Sequence, residues 1–62
     1  MRDPKRIKRI MTKLEKLWNQ VPDMRFYQLV SNLYRGENPD PFFVEDNITE
    51  QWIDEWLNEN GD

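Results

Sequence analysis

The first third of the chain carries an apolar pattern typical of an amphipathic α-helix. Between residues 4 and 21 the apolar side chains recur every three or four positions, which places them along one stripe of a helix with 3.6 residues per turn. These side chains are Ile7, Ile10, Met11, Leu14, Leu17, Trp18 and Val21. Asp3 can cap such a helix, and Pro4 suits its first position. The pattern predicts a helix over residues 4–20, with lysines and arginines on the opposite face.

A second helix is predicted over residues 24–35. Val21-Pro22-Asp23 should interrupt the first helix, because proline disfavours helical geometry in the residue before it. Asp23 is a suitable N-cap for the helix that follows, and Gly36 can take the left-handed conformation that ends many helices. The apolar positions between them are Phe26, Leu29, Val30 and Leu33. The two helices should therefore meet at a tight corner.

A short non-helical segment is predicted next. Pro39 and Pro41 stand two residues apart, and prolines so close together cannot continue a helix. Phe42-Phe43-Val44 is too short to form a sheet without a partner strand. We therefore expect Phe42–Val44 to be extended and to pack between the second and third helices.

A third helix is predicted over residues 48–59, since Asn47 and Glu50 have the spacing of a capping box. The fold class is therefore all-α, with one small domain over residues 1–62, three helices and a short extended segment before the third. The predicted core consists of Ile7, Ile10, Met11, Leu14, Leu17, Trp18, Phe26, Leu29, Val30, Leu33, Phe42, Ile53 and Leu57.

The composition excludes most catalytic and metal-binding chemistry. The 62 residues include no cysteine and no histidine, which removes thiolate nucleophiles, imidazole bases and the common zinc ligands. No glycine-rich phosphate loop or calcium-binding loop is present in the sequence. We predict no enzymatic activity, no catalytic residue, no cofactor and no metal. No apolar run approaches the roughly 20 residues that span a bilayer, so we expect a cytoplasmic protein without a membrane partner.

The charges are segregated along the chain. Residues 1–35 carry nine basic and three acidic side chains, whereas residues 36–62 carry nine acidic side chains and no basic one. Two outcomes stay open: the halves neutralise each other, within one chain or across a dimer, or one of them binds an oppositely charged partner. The nearest positive charge for the acidic third helix is the Lys5–Lys16 face. We therefore expect the first and third helices to lie close together.

Two functions are compatible with these patterns. The chain has three tryptophans, two tyrosines and three phenylalanines, and aromatic residues beyond the needs of a small core can form an interaction surface. The leading hypothesis is an interaction or regulatory module that binds another protein or a second copy of itself, with candidate residues Tyr34, Phe43, Trp56, Glu50 and Asp54. The alternative is a nucleic-acid-binding protein that uses the first two helices. Its candidate residues are Lys5, Arg9, Lys13, Lys16, Arg25, Gln28, Asn32 and Arg35.

Three stretches of the chain resemble a family of short proteins from bacteria and their phages. The first runs from Arg2 to Ile7, and the second combines Trp18 with Pro22-Asp23-Met24-Arg25 and Gln28-Leu29-Val30-Ser31-Asn32-Leu33. The third is Asp40-Pro41-Phe42-Phe43-Val44-Glu45-Asp46. Together they are similar to the enterobacterial YihD group over residues 2–57. The resemblance implies a small intracellular domain of bacterial, phage or prophage origin, and it implies no activity, cofactor or catalytic residue.

Overall fold

Three α-helices and one 3₁₀ turn make up the part of the chain that the structure describes. The computed structural model describes residues 2–36 and 40–60. Its elements are α1 (Lys5–Gln20), α2 (Phe26–Leu33), the 3₁₀ turn (Pro41–Phe43) and α3 (Asp46–Asn60). No strand occurs within those residues. The predicted all-α class, with a short segment before the third helix, is confirmed.

α1 begins and ends close to the predicted positions. Asp3 holds its start, where the Oδ1 atom accepts a hydrogen bond from the Lys5 amide at 2.9 Å. The helix ends at Gln20, because Pro22 has no amide N–H to continue the hydrogen-bond ladder. Local sequence signals therefore determine both ends of this helix.

The corner between α1 and α2 occupies residues 21–25. The indole Nε1–H of Trp18 donates a hydrogen bond to the Met24 carbonyl at 2.8 Å. This bond ties the corner to the last turn of α1. It also occupies the Met24 carbonyl, which would accept a backbone hydrogen bond within α2 if that helix began at residue 24. α2 consequently begins at Phe26, two residues later than predicted.

Both predicted ends of α2 need correction. Arg25, and not Asp23, occupies the N-cap position, and its amide donates to Gln28 Oε1 at 3.0 Å. The helix stops before Tyr34, whose φ of −67° and ψ of 120° are extended. Gly36 does not have the positive φ that a left-handed terminator requires. The chain therefore leaves α2 along an extended path.

The segment before α3 turns more tightly than predicted, and its rings lie outside the core. Asp40 Oδ1 accepts a hydrogen bond from the Phe42 amide at 2.9 Å, which helps to wind Pro41–Phe43 into a 3₁₀ turn. Phe42 is 83% exposed and Phe43 is 72% exposed. The prediction that this segment packs between the helices is wrong for these two rings, although Val44 is partly buried.

α3 begins at Asp46, two residues earlier than predicted. The Glu45 carbonyl accepts a hydrogen bond from the Ile48 amide at 3.0 Å, so Asn47 lies inside the helix and does not open it. Glu50 directs its carboxylate toward α1, as described below. The Asn47–Glu50 spacing therefore does not mark the start of this helix.

The core lies where the three helices meet. Among the described residues, four buried side chains form it, and they come from all three helices: Leu17, Leu29, Leu33 and Ile53. Partly buried apolar side chains surround them: Ile10, Leu14, Trp18, Val21, Met24, Trp52, Trp56 and Leu57. α1 and α2 each pack mainly against α3. α3 is therefore the central helix, and contact between α1 and α2 is slight.

Five residues predicted for the core are exposed instead. They are Ile7, Met11, Phe26, Val30 and Phe42. Apart from Phe42, they belong to α1 and α2, which lean on α3 and do not close over each other. Their places around the core are taken partly by side chains that the prediction omitted: Val21, Met24, Trp52 and Trp56. In the described part of the chain, no helix combines the length and apolar character needed to cross a membrane.

Candidate protein-binding surface

A row of ion pairs joins the N-terminal side of the fold to α3. Basic residues recur at helical spacing on one edge of α1, and carboxylates recur in the same way on the facing edge of α3. The pairs are Arg2–Glu45 (2.7 Å), Arg6–Asp46 (2.7 Å), Arg9–Glu50 (2.6 Å), Lys13–Glu50 (2.7 Å) and Lys13–Asp54 (3.0 Å). The prediction that the first and third helices lie together is confirmed, and these contacts form within one chain.

Glu50 is the centre of this ion-pair row. Its Oε2 atom accepts hydrogen bonds from Arg9 Nε at 2.6 Å and from Lys13 Nζ at 2.7 Å, and its Oε1 atom accepts from Arg9 Nη2 at 2.9 Å. These bonds, first from Arg9 and then from Lys13, lower the pKa of Glu50 to about 2. The same carboxylate raises the pKa of Arg9 and of Lys13. Glu50 therefore carries its charge throughout the neutral range.

The end of α2 is also tied to α3 by charge. Arg35 lies 2.7 Å from Glu55 and 4.0 Å from Glu59, measured from guanidinium nitrogen to carboxylate oxygen. Both carboxylates are on the last two turns of α3. The single basic residue at the C-terminal side of α2 is therefore already paired.

The candidate nucleic-acid-binding residues are divided between different environments. Three of them are held by carboxylates of α3: Arg9, Lys13 and Arg35. Two have partners near the corner: Gln28, which accepts from the Arg25 amide at 3.0 Å, and Asn32, whose Nδ2 donates to Met24 Sδ at 3.6 Å. The side chains exposed without an ion pair to any described residue are Lys5, Lys16 and Arg25. The structure does not gather all eight into one surface.

Phe42 and Phe43 form an exposed aromatic pair on the 3₁₀ turn. Their ring centroids lie 5.0 Å apart with an interplanar angle of 78°, an edge-to-face arrangement that aromatic rings favour. The Asp40 side-chain cap and the fixed φ of Pro41 hold the backbone beneath them. We call Pro41–Phe43 the aromatic turn. It presents two large rings to solvent on a backbone with little freedom.

Two hollows flank the aromatic turn. The larger, of about 450 Å³, is lined by Arg35, Gly36, Phe43, Val44, Glu45, Ile48 and Trp52. The smaller, of about 140 Å³, is lined by Val30, Leu33, Tyr34, Pro41, Val44, Thr49 and Trp52. Val44 and Trp52 line both hollows, so these two apolar side chains separate one hollow from the other next to the turn. A partner that buries the two rings can also fill these hollows.

The candidate protein-binding residues lie in three different places. Tyr34 and Phe43 both adjoin Trp52: the Tyr34 ring meets the indole edge to face at 5.9 Å, and Phe43 shares the larger hollow with it. Trp56 packs against the core. Glu50 and Asp54 belong to the ion-pair row on the α1 side of α3. Of these five candidates, Phe43 therefore belongs to the aromatic turn and Tyr34 lies beside it.

Sequence reasoning missed three members of this surface. The apolar pattern predicts Phe42 in the core, and it does not indicate that Ile48 or Trp52 borders a binding surface. A signal for Phe42 exists in Asp40-Pro41, because a short acidic side chain followed by proline favours a turn. Nothing comparable in the sequence indicates which side of α3 borders that turn.

No family model, curated protein or solved structure matches this chain. The resemblance to the YihD group stays a prediction that rests on the three quoted stretches.

Proposed function

We propose that the protein is a small, non-enzymatic protein-binding module that docks on its partner through the aromatic turn. The observation that carries the proposal is the exposure of two phenylalanine rings, Phe42 and Phe43, which meet edge to face on a capped turn. Large apolar side chains that are exposed together favour an interaction site, and aromatic residues often dominate binding energy. A cytoplasmic location and a bacterial or phage origin belong to the same proposal.

The partner that fits this surface has an apolar pocket for two rings. Each phenylalanine can bury about 150–250 Å² of surface. The charged residues at the larger hollow, Arg35 and Glu45, are already paired with Glu55 and Arg2. Charge at this site is thus balanced, so recognition depends mainly on burial of the rings.

A nucleic-acid partner is less well supported by the charge arrangement. Phosphates would have to displace carboxylates from Arg9 and Lys13, and the remaining α3 carboxylates would repel them. We therefore expect no DNA or RNA binding in a fluorescence-anisotropy titration at low salt, where counterion release makes such binding strongest. Measurable affinity that falls steeply as salt is added would favour the nucleic-acid alternative instead.

The double variant Phe42→Ala, Phe43→Ala tests the docking proposal. Because both rings are exposed, the variant should unfold within about 0.5 kcal/mol of the wild type, as is usual for surface substitutions. A protein captured from host lysate by the tagged wild type should be absent when the double variant is the bait. Isothermal titration with the purified partner should show a loss of affinity of at least about 30-fold, the loss expected for a hot spot of about 2 kcal/mol.

Tyr27→Ala is the matched control, because Tyr27 is 80% exposed but lies on α2, away from the lining of both hollows. It should retain the partner with wild-type affinity. Equal capture by the wild type and the double variant would contradict docking through the aromatic turn. Equal loss from the double variant and from Tyr27→Ala would contradict it as well.

A further inference from the structure

α1 carries an apolar seam that its packing on α3 leaves open. The seam residues follow one another at intervals of four, three and four positions: Ile7, Met11, Leu14 and Trp18. This is the a/d spacing of a heptad, which presents a continuous edge to another helix. Ile7 is 56% exposed and Met11 is 55% exposed, while Leu14 and Trp18 are partly buried. No element in residues 2–36 and 40–60 covers the first half of this edge.

α2 provides one wall of a groove along the seam. The Phe26 ring centroid lies 5.4 Å from that of Trp18, and both rings line a groove of about 360 Å³ together with Met11 and Leu14. Glu15 also lines this groove. The groove shares no lining residue with the two hollows at the aromatic turn. The seam is therefore a second surface, separate from the proposed docking site.

The outer edge of the seam carries one positive and one negative charge. Lys8 and Glu15 are seven residues apart, so they occupy the same heptad position, directly after Ile7 and Leu14. Both side chains are exposed, and neither forms an ion pair with another described residue. The edge is thus complementary in charge to a reversed copy of itself.

We propose that this chain forms an antiparallel homodimer in which α1 packs along α1 of a second copy. The two-fold axis passes between Met11 and Leu14. Met11 therefore lies near Leu14 of the partner subunit, and Ile7 lies near Trp18 of the partner subunit. Equivalent heptad positions flanking the seam face each other in an antiparallel helix pair, so Lys8 comes near Glu15 of the partner subunit. The symmetry repeats this contact at both ends.

A second copy fits the seam for a reason visible in the sequence. A helix from an unrelated protein would need a carboxylate opposite Lys8 and a basic side chain opposite Glu15. A reversed copy of α1 supplies both, because its own Glu15 and Lys8 then stand at those places. Phe26 adds an apolar wall on the α2 side of the groove. The dimer leaves the aromatic turn accessible, and it does not rest on the proposed docking function.

Sedimentation equilibrium of the full chain tests the proposal through charge reversal. We expect a monomer–dimer equilibrium for the wild type. Lys8→Glu places like charges opposite each other at both ends of the helix pair. Glu15→Lys does the same. Each single variant should raise the dimer Kd by about tenfold. The combined variant Lys8→Glu, Glu15→Lys restores opposite charges and should return Kd to within about threefold of the wild type.

Two further variants locate the interface. Met11→Glu places a carboxylate near the two-fold axis and should abolish the dimer, whereas Lys16→Glu, an exposed reversal outside the seam, should leave Kd unchanged. Circular dichroism checks that each variant keeps its helices. A wild type that stays monomeric at all concentrations, a dimer insensitive to Met11→Glu, or a combined variant no tighter than the single reversals overturns the proposal. Occupation of the seam by a different protein in place of the second copy overturns it too.

Discussion

Ile53→Ala is expected to lower the free energy of unfolding by about 2–5 kcal/mol, the usual cost of removing a buried isoleucine. Ile53 is 1% exposed, and its side chain fills the centre of the fold beside Leu17, Leu29 and Leu33. A chain of this length has a total stability of only about 3–9 kcal/mol, at about 0.05–0.15 kcal/mol per residue. The variant should therefore lose a large fraction of the stability of the fold and melt well below the wild type.

Ile48→Ala is the matched control, because it removes the same atoms from the same helix at a position that is partly exposed to solvent. We expect it to cost about 1–1.5 kcal/mol, less than Ile53→Ala, since the exposed part of the side chain is in water in both the folded and the unfolded chain. Urea denaturation followed by circular dichroism measures both variants. Equal losses of stability would contradict the position of the core between α3 and the other two helices.

Acid is expected to destabilise the protein between about pH 4.5 and about pH 2. In this range Glu50 is more protonated in the unfolded chain than in the folded chain. Its pKa falls from the ordinary value of 4.5 to about 2 in the folded chain, because Arg9 and Lys13 donate hydrogen bonds to the carboxylate. A carboxylate with a lowered folded pKa contributes its full stabilisation above the unfolded pKa. That contribution is lost as the pH falls toward the folded pKa. The melting temperature should therefore fall across this window.

Glu50→Gln isolates the contribution of this carboxylate. The variant should melt below the wild type at neutral pH, and its melting temperature should fall less steeply between pH 4.5 and pH 2 than that of the wild type. Asp23→Asn is the control, since Asp23 is exposed in the corner and makes no ion pair with the described residues. It should keep the wild-type pH dependence. If the melting temperatures of the wild type and of Glu50→Gln fell equally between pH 4.5 and pH 2, the central position of Glu50 in the ion-pair row would be contradicted.

The helices could be predicted from sequence because the spacing of apolar residues determines which side of each helix is apolar. Leu17 and Ile53 are in the core for that reason. The same spacing does not say whether a neighbouring element covers the stripe. Ile7 and Met11 satisfy the helical period as well as Leu17 does, yet they stay exposed because no described element packs over this part of α1. Tertiary packing, which local periodicity does not encode, decides between the two outcomes.

The candidate site was predictable in part. Opposite charges on the first and third helices predicted their contact, which the ion-pair row confirms. The role of Glu50 was not predictable, since a glutamate three residues after Asn47 can complete a capping box or bind another helix. Phe42 was misplaced because an apolar run was taken as evidence of burial. In a chain this small, a capped turn can hold such residues in solvent, where they are available to a partner.

The account depends most on the neutralisation of α1 by α3 within one chain, because that pairing leaves apolar surfaces as the sites for partners. Thermal unfolding in increasing sodium chloride, at a protein concentration below the dimer Kd, tests it directly. Raising the salt from about 0.01 M to about 1 M shortens the Debye length from about 30 Å to about 3 Å. The pairs of the ion-pair row are exposed or only partly buried, so salt can still screen their attraction and the melting temperature should fall modestly. A melting temperature that rises steadily with salt would contradict the account, since repulsion within the basic and acidic edges would then outweigh the attraction between them.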